Sequence, residues 1–109
     1  MNDRNEVFLI GKVFGEPRVG KTKTGGTVAQ FSVCVRRPEP SKSSDIINVV
    51  AWDSVAEEVS VGFNDGTGIQ LKGRIQKTSY ISQDGTRRSN TKVYAQEIER
   101  TDENRKVLP

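Results

Sequence analysis

Residues 46–57 read Ile46-Ile47-Asn48-Val49-Val50-Ala51-Trp52-Asp53-Ser54-Val55-Ala56-Glu57, and the change of period inside this stretch decides the fold. Through Trp52 the residues are mostly β-branched or aromatic. Ile47, Val49 and Ala51 face one way and Ile46, Asn48, Val50 and Trp52 the other, as in a strand. Apolar side chains fall on both faces, so both are expected to be covered. After Asp53 the period becomes helical. Ser54-Val55-Ala56-Glu57 has the spacing of a capping box, in which the serine hydroxyl accepts from a backbone N–H and the glutamate reaches back. Val55, Ala56 and Val59 then share a face, Glu57 and Glu58 suit the positive end of the helix dipole, and Gly62 is placed to end roughly two turns.

Working outward toward the N-terminus, residues 36–44 hold Pro38, Pro40, three serines and Lys42, a composition that predicts a loop. Before it, Thr27 to Val35 alternates, with Ala29, Phe31, Val33 and Val35 on one face and Gln30 and Ser32 on the other. Lys23-Thr24-Gly25-Gly26 supplies a tight reversal. The first strand, VFLIGKVF at 7–14, has Gly11 as a bend and ends before Pro17. Phe8, Phe14, Phe31 and Phe63 are expected mostly in the core. Toward the C-terminus, Asn64 to Gly68 is a turn. From Ile69, Ile69, Leu71, Gly73 and Ile75 alternate with Gln70, Lys72, Arg74 and Gln76, one face core and the other basic. Ser82-Gln83-Asp84-Gly85 marks a hairpin and Lys92 to Ile98 a fifth strand. Three strands, a helix and two more strands predict an all-β OB-fold, a five-stranded Greek-key barrel with a short helix between strands three and four. The expected organisation is one domain over residues 1–100 and a flexible C-terminal tail over 101–109.

Composition narrows the function. The 109-residue chain is 33% hydrophobic, contains no histidine and has one cysteine, Cys34. A conventional zinc site lacks its ligands, no intramolecular disulfide can form, and no cofactor is expected. Cys34, on the second strand beside Val33 and Val35, is expected to be a buried structural thiol. Catalysis has little to stand on. Asp53, Glu57 and Glu58 are the only clustered carboxylates and read better as helix capping, and no nucleophile is paired with a base. No run approaches the roughly 18 apolar residues of a membrane span, and the first residues have neither a basic nor an apolar leader segment.

The formal net charge is only +3, but its distribution is uneven. Residues 18–44 carry Arg18, Lys21, Lys23, Arg36, Arg37 and Lys42 against Glu39 alone; residues 72–92 carry Lys72, Arg74, Lys77, Arg87, Arg88 and Lys92 against Asp84 alone. The remainder is net acidic. Both basic segments flank the predicted sheet, and Lys72, Arg74, Gln76 and Thr78 share a strand face with Tyr80. Basic and aromatic residues interleaved on one face suit the phosphates and bases of a single strand.

Several segments carry a resemblance. They are VFLIGKV at 7–13, Gly26-Thr27-Val28-Ala29-Gln30-Phe31-Ser32-Val33, IINVVAW at 46–52 leading into Val55-Ala56-Glu57, Leu71-Lys72-Gly73-Arg74-Ile75, and the Asp84-Gly85 hairpin. In this order and spacing the chain resembles the bacterial and organellar single-stranded DNA-binding protein family over roughly Glu6 to Glu99. The resemblance implies a non-enzymatic protein that binds single-stranded DNA with little sequence preference, in replication, recombination or repair. It implies bases stacked on Trp52 and Tyr80, at positions where family members place aromatics, and phosphates held by Lys21, Lys23, Arg36, Arg37, Lys72, Arg74, Lys77, Arg87 and Arg88. Two bland readings stay open, Trp52 as a plug at the barrel end and Tyr80 as a hairpin cap.

The resemblance also implies a homotetramer of dimers paired through strand one with their sheets stacked, a dimer being the alternative. The location it implies is cytoplasmic and nucleoid-associated, or organellar in a eukaryote. Two departures are visible. Ile46 and Arg37-Pro38 stand where many members carry aromatics, which implies weaker binding. Many members also continue into a flexible linker with an acidic tip that recruits replication or repair proteins, whereas this sequence stops at Lys106-Val107-Leu108-Pro109. The expectation is a short form without tail-borne recruitment, natural or truncated. A rival reading, favoured by the sparse aromatics, is a subunit similar to primosomal replication protein B that works chiefly by assembling partners and binds single strands weakly.

Overall fold

The computed structural model describes residues 2–101; the expected tail lies outside them except for Thr101. The chain runs β1 (Val7–Lys21), β2 (Thr27–Arg36), β3 (Ser44–Trp52), α1 (Asp53–Gly62), β4 (Gly68–Ile81) and β5 (Arg87–Arg100). The strands close a barrel in the order β1-β2-β3-β5-β4. All neighbours are antiparallel except β3 and β5, whose parallel pairing at Val49↔Val93 and Val50↔Tyr94 completes the circle. This is the OB-fold that the element order predicts. Inside lie Val13, Ala29, Phe31, Val33, Val49, Ala51, Ile69, Leu71, Val93 and Ala95, and α1 adds Ala56 and Val59 to the same cluster.

Two glycines let the sheet turn its corners. Gly11 immediately precedes Lys12, where β1 passes from β4 to β2, and a Cβ on Gly11 would stand 2.3 Å from the carbonyl oxygen of Cys34. At Gly73 the register slips by one residue on β5, between Lys72↔Glu97 and Gly73↔Ala95. A Cβ there would stand 2.0 Å from the carbonyl oxygen of Tyr94. Just beyond, the Asn5 side chain takes the place of a strand: its amide donates to Ile75 O at 2.7 Å and its oxygen accepts from Ile75 N at 2.8 Å.

Several expectations are corrected. β1 does not stop before Pro17 but runs on to Lys21, because Gly15-Glu16-Pro17 form a bulge between Phe14↔Ser32 and Arg18↔Gln30 in which proline owes the ladder no N–H. Its period-two alternation turns Val7, Leu9 and Val13 inward, so Phe8 (56% exposed) and Phe14 (58%) face out instead of joining the core. Phe31 is buried and Phe63 packs against the core. Cys34 is half-buried on the outer face, following Gln30 and Ser32 in parity, while Val33 takes the core position. The outer face of β3 is not fully covered either: Val50 is buried, but Ile46 and Trp52 are exposed. The capping box does not form. The helix begins at Asp53, so the N-cap position falls to Trp52, which offers no cap hydrogen bond. Asp53 itself sits at φ +54°, the left-handed region that aspartate tolerates better than most residues. Finally, β5 begins at Arg87 instead of Lys92, and with the expected extension of β4 it forms an arm whose side chains are exposed on both faces, from Gln76 to Ile81 and from Arg87 to Thr91.

Candidate nucleic-acid interface

Strand register assembles one outer face from all five strands. One row across it runs Arg18, Gln30, Val50, Tyr94 and Arg74. Within it the Arg74 guanidinium lies over the Tyr94 ring, its central carbon 4.8 Å from the centroid, a cation–π contact that keeps the cation close to this face. The next row holds Phe14, Ser32 and Asn48. These three line an open groove of about 450 Å³ together with Gly15, Glu16, Arg18, Gln30 and Lys92. Flanking rows bring Trp52 opposite Val28 at one side and Ile46 opposite Cys34 at the other. Trp52 is 38% exposed, its ring part packed and part open.

The β4–β5 arm continues this face. Tyr80 pairs with Arg88, Thr78 with Asn90 and Gln76 with Lys92, all of the parity of Arg74 and Tyr94. At its tip, Asp84 accepts from the Ser82 hydroxyl and, at 3.0 Å, from Thr86 N. These bonds, the serine's first, pull the Asp84 carboxyl down to about 2, so the turn carries a fixed negative charge at any ordinary pH. Arg88 Nη2 lies 4.0 Å from it, both groups exposed, which leaves the arginine only loosely held.

The residues expected to contact nucleic acid therefore divide. Trp52, Arg74, Tyr80, Arg88 and, by parity, Arg36 share the outer face. Lys77 and Arg87 belong to the arm's opposite face, with Ile75 and Ile81. Lys72 sits farther round the barrel, beside Phe8, Gln70, Glu97 and Glu99. Lys21 donates from Nζ to Thr27 Oγ1 at 3.2 Å, and Lys23 is exposed in the β1–β2 turn. Arg37 is held by Asp45, with Nη2 to Oδ1 at 2.7 Å and Nε to both carboxylate oxygens at 3.2 Å. That pairing pushes the arginine up and the carboxyl down from their ordinary values.

The face also holds residues that the sequence did not single out as contacts: Phe14, which was expected in the core; Arg18 and Lys92, which were counted only within the basic segments; and Gln30 and Tyr94. Strict alternation from Val7 would have found Phe14. Lys92 and Tyr94 lie on the predicted fifth strand, but residues 87–91, which put Arg88 and Asn90 on the same face at period two, are too polar to read as its start. Among the described residues no group of three His, Cys, Asp or Glu side chains is placed to hold a metal ion, and no helix is long and apolar enough to cross a membrane.

A closed five-stranded barrel with a helix between its third and fourth strands, bearing aromatic and basic side chains across one outer face, defines an OB-fold of the nucleic-acid-binding type. The chain belongs to the single-strand binding protein family, whose model matches residues 4–101. Its relatives include single-stranded DNA-binding protein 3 of Clostridium acetobutylicum, 36% identical over 99 residues, which are 87% of this chain and 69% of the relative. The single-stranded DNA-binding protein of Halalkalibacterium halodurans is 33% identical over 99 residues, 87% of this chain and 59% of the relative. Single-stranded DNA-binding protein A of Bacillus subtilis is 32% identical over 99 residues, 87% and 58% respectively. The chain thus spans between 58% and 69% of the length of these three relatives.

Proposed function

We propose that this protein binds single-stranded DNA with little sequence preference, as a non-enzymatic protector of exposed strands in replication, recombination or repair. The observation that carries the reading is the register-built face on which Trp52, Phe14, Tyr94 and Tyr80 alternate with Arg18, Arg74, Lys92 and Arg88. Aromatic rings stack any base, at about 1–3 kcal/mol each, and the cations follow the phosphates. Family membership supports the same chemistry. Its site of action is then wherever single strands are exposed, which in a bacterium is the cytoplasm.

Titrating oligo-dT while following the emission of Trp52, the only tryptophan, tests this directly. Saturable quenching is expected, weakening from low to moderate salt as counterions compete for the phosphates. Absence of both quenching and a mobility shift would sink the reading and favour the partner-assembling subunit instead.

The reading includes self-assembly through β1. The β1–β2 ladder starts at Lys12, so the second edge of residues 7–11 has no strand partner among the described residues. An unpaired edge is a template for a second copy. On the adjoining outer surface Phe8 (56% exposed) and Ile10 (55%) stand beside Gln70, Lys72, Glu97 and Glu99, an apolar centre with a charged rim. The expected assembly is a tetramer, two β1-paired dimers stacked on these faces. Sedimentation should show it, and Phe8→Glu should reduce it to dimers. A stable monomer of the unaltered protein at micromolar concentration would overturn the assignment.

A further inference from the structure

The two adjacent arginines that end β2 have different surroundings. Arg36 is the last residue of the β2–β3 ladder, opposite Ser44, and its parity follows Ser32 and Cys34 on the outer face. Arg37 follows Val35, whose partner Asp45 lies on the other side of the strand pair. There the guanidinium meets the carboxylate in a fork of three N–H···O contacts between 2.7 and 3.2 Å. The backbone of Arg37 is tied as well, its N–H donating to Ser43 O at 3.0 Å. Inside the loop that this closes, Ser41 N donates to Pro38 O at 3.1 Å and Ser43 N to Ser41 Oγ at 3.1 Å. Arg37 thus joins the two ends of the 37–43 segment through its backbone and ties the segment to β3 through its side chain. Among the described residues the Arg36 side chain has no hydrogen-bond or ion-pair partner, and it stays exposed.

We infer that Arg37 is a positioning residue, locked to Asp45 to order the β2–β3 loop, and that Arg36 makes the phosphate contact at this end of the strand-binding face. The inference rests on the single-strand reading above and assigns distinct roles to two neighbours that charge alone does not separate. A planar guanidinium with a fixed fork of donors suits an in-plane carboxylate lock, which a lysine could not supply. Ordering the loop in the free protein removes part of the entropy that binding would otherwise cost.

The test is the salt dependence of oligo-dT binding to the full chain, compared across four variants. Each phosphate contact on a single strand adds about 0.7 to the slope of log K against log salt. Arg36→Ala is expected to lower the slope by about that amount and to weaken binding about fivefold at 0.1 M salt relative to 1 M, as that slope dictates. Arg37→Ala is expected to leave the slope unchanged and to weaken binding about two- to fivefold, the scale of one exposed ion pair. Asp45→Ala carries the discriminating sign. If Arg37 positions the loop, losing Asp45 weakens binding as much as losing Arg37, and the exchanged pair Arg37→Asp with Asp45→Arg restores it. If Arg37 instead contacts DNA, losing Asp45 frees the arginine, so binding tightens and the slope steepens; either that result or a slope drop in Arg37→Ala overturns the assignment. Unaltered protein that shows no salt-dependent binding at all overturns the single-strand reading itself, a failure distinct from these.

Discussion

Gly73→Ala is expected to destabilise the barrel by about 3 kcal/mol or more, the upper end of what overpacking costs and a large fraction of the stability of a domain this size. The added methyl would lie 2.0 Å from the carbonyl oxygen of Tyr94, 2.9 Å from its carbonyl carbon and 3.1 Å from Cα of Ala95. All three are backbone atoms, so no side chain can rotate away. Relief would require opening the β4–β5 ladder at the bulge where it turns. That point stands beside the parallel β3–β5 pairing that closes the barrel at Val49↔Val93 and Val50↔Tyr94. Urea denaturation followed by far-ultraviolet circular dichroism measures the loss. Gly20→Ala is the control, because nothing lies within 4 Å of a Cβ there, and it should stay within about 0.5 kcal/mol of the parent. Equal stability of Gly73→Ala and the parent would mean that the strands do not approach as described.

Trp52→Ala is expected to weaken oligo-dT binding by about 1–3 kcal/mol, roughly 5- to 150-fold, with little change in salt slope, because the ring supplies stacking and no charge. The register supports a platform over a plug. Trp52 ends β3 on the outer parity, opposite Val28 and two residues from Val50, and more than a third of it is open to solvent. Trp52→Phe keeps a π face and should recover most of the affinity. Binding is measured by fluorescence anisotropy of a labelled oligonucleotide, since the intrinsic reporter is lost, and stability by thermal melting of the same samples. Unchanged affinity in Trp52→Ala would return Trp52 to a packing role, and a fall in melting temperature without a fall in affinity would do the same.

The period change after Trp52, the alternation of Thr27 to Val35 and the hairpin signal at Asp84-Gly85 were enough to predict the barrel, because each is a local pattern that one face of apolar burial imposes. Where those patterns fade, the reading shortened the elements. The strand-four side of the arm was read through Tyr80, but its return from Arg87 to Thr91 is held by backbone ladder bonds with polar side chains on both faces, so no alternation announces it. β1 past Phe14 depends on a bulge that frees Pro17 of its hydrogen-bonding duty, a relation to β2 that composition cannot express. The basic segments were legible as segments. Their division was not: Arg87 and Arg88, like Arg36 and Arg37, are neighbours in sequence but point to opposite sides of a pleated strand.

By itself the sequence determined the order and type of the elements, the inward set of β-branched and small residues, and the presence of cations and aromatics in the flanks of the sheet. These follow from periodicity and charge, which are properties of consecutive residues. Only the tertiary structure decided which of them share a surface. Register set Arg74 over Tyr94, brought Phe14, Arg18 and Lys92 to one groove, gave Arg37 to Asp45 and left Phe8 and Ile10 on an outer face of their own. The reason is geometric: a one-residue step reverses a strand side chain, and a bulge resets that count. Membership of a face is therefore fixed by pairing between strands distant in the chain.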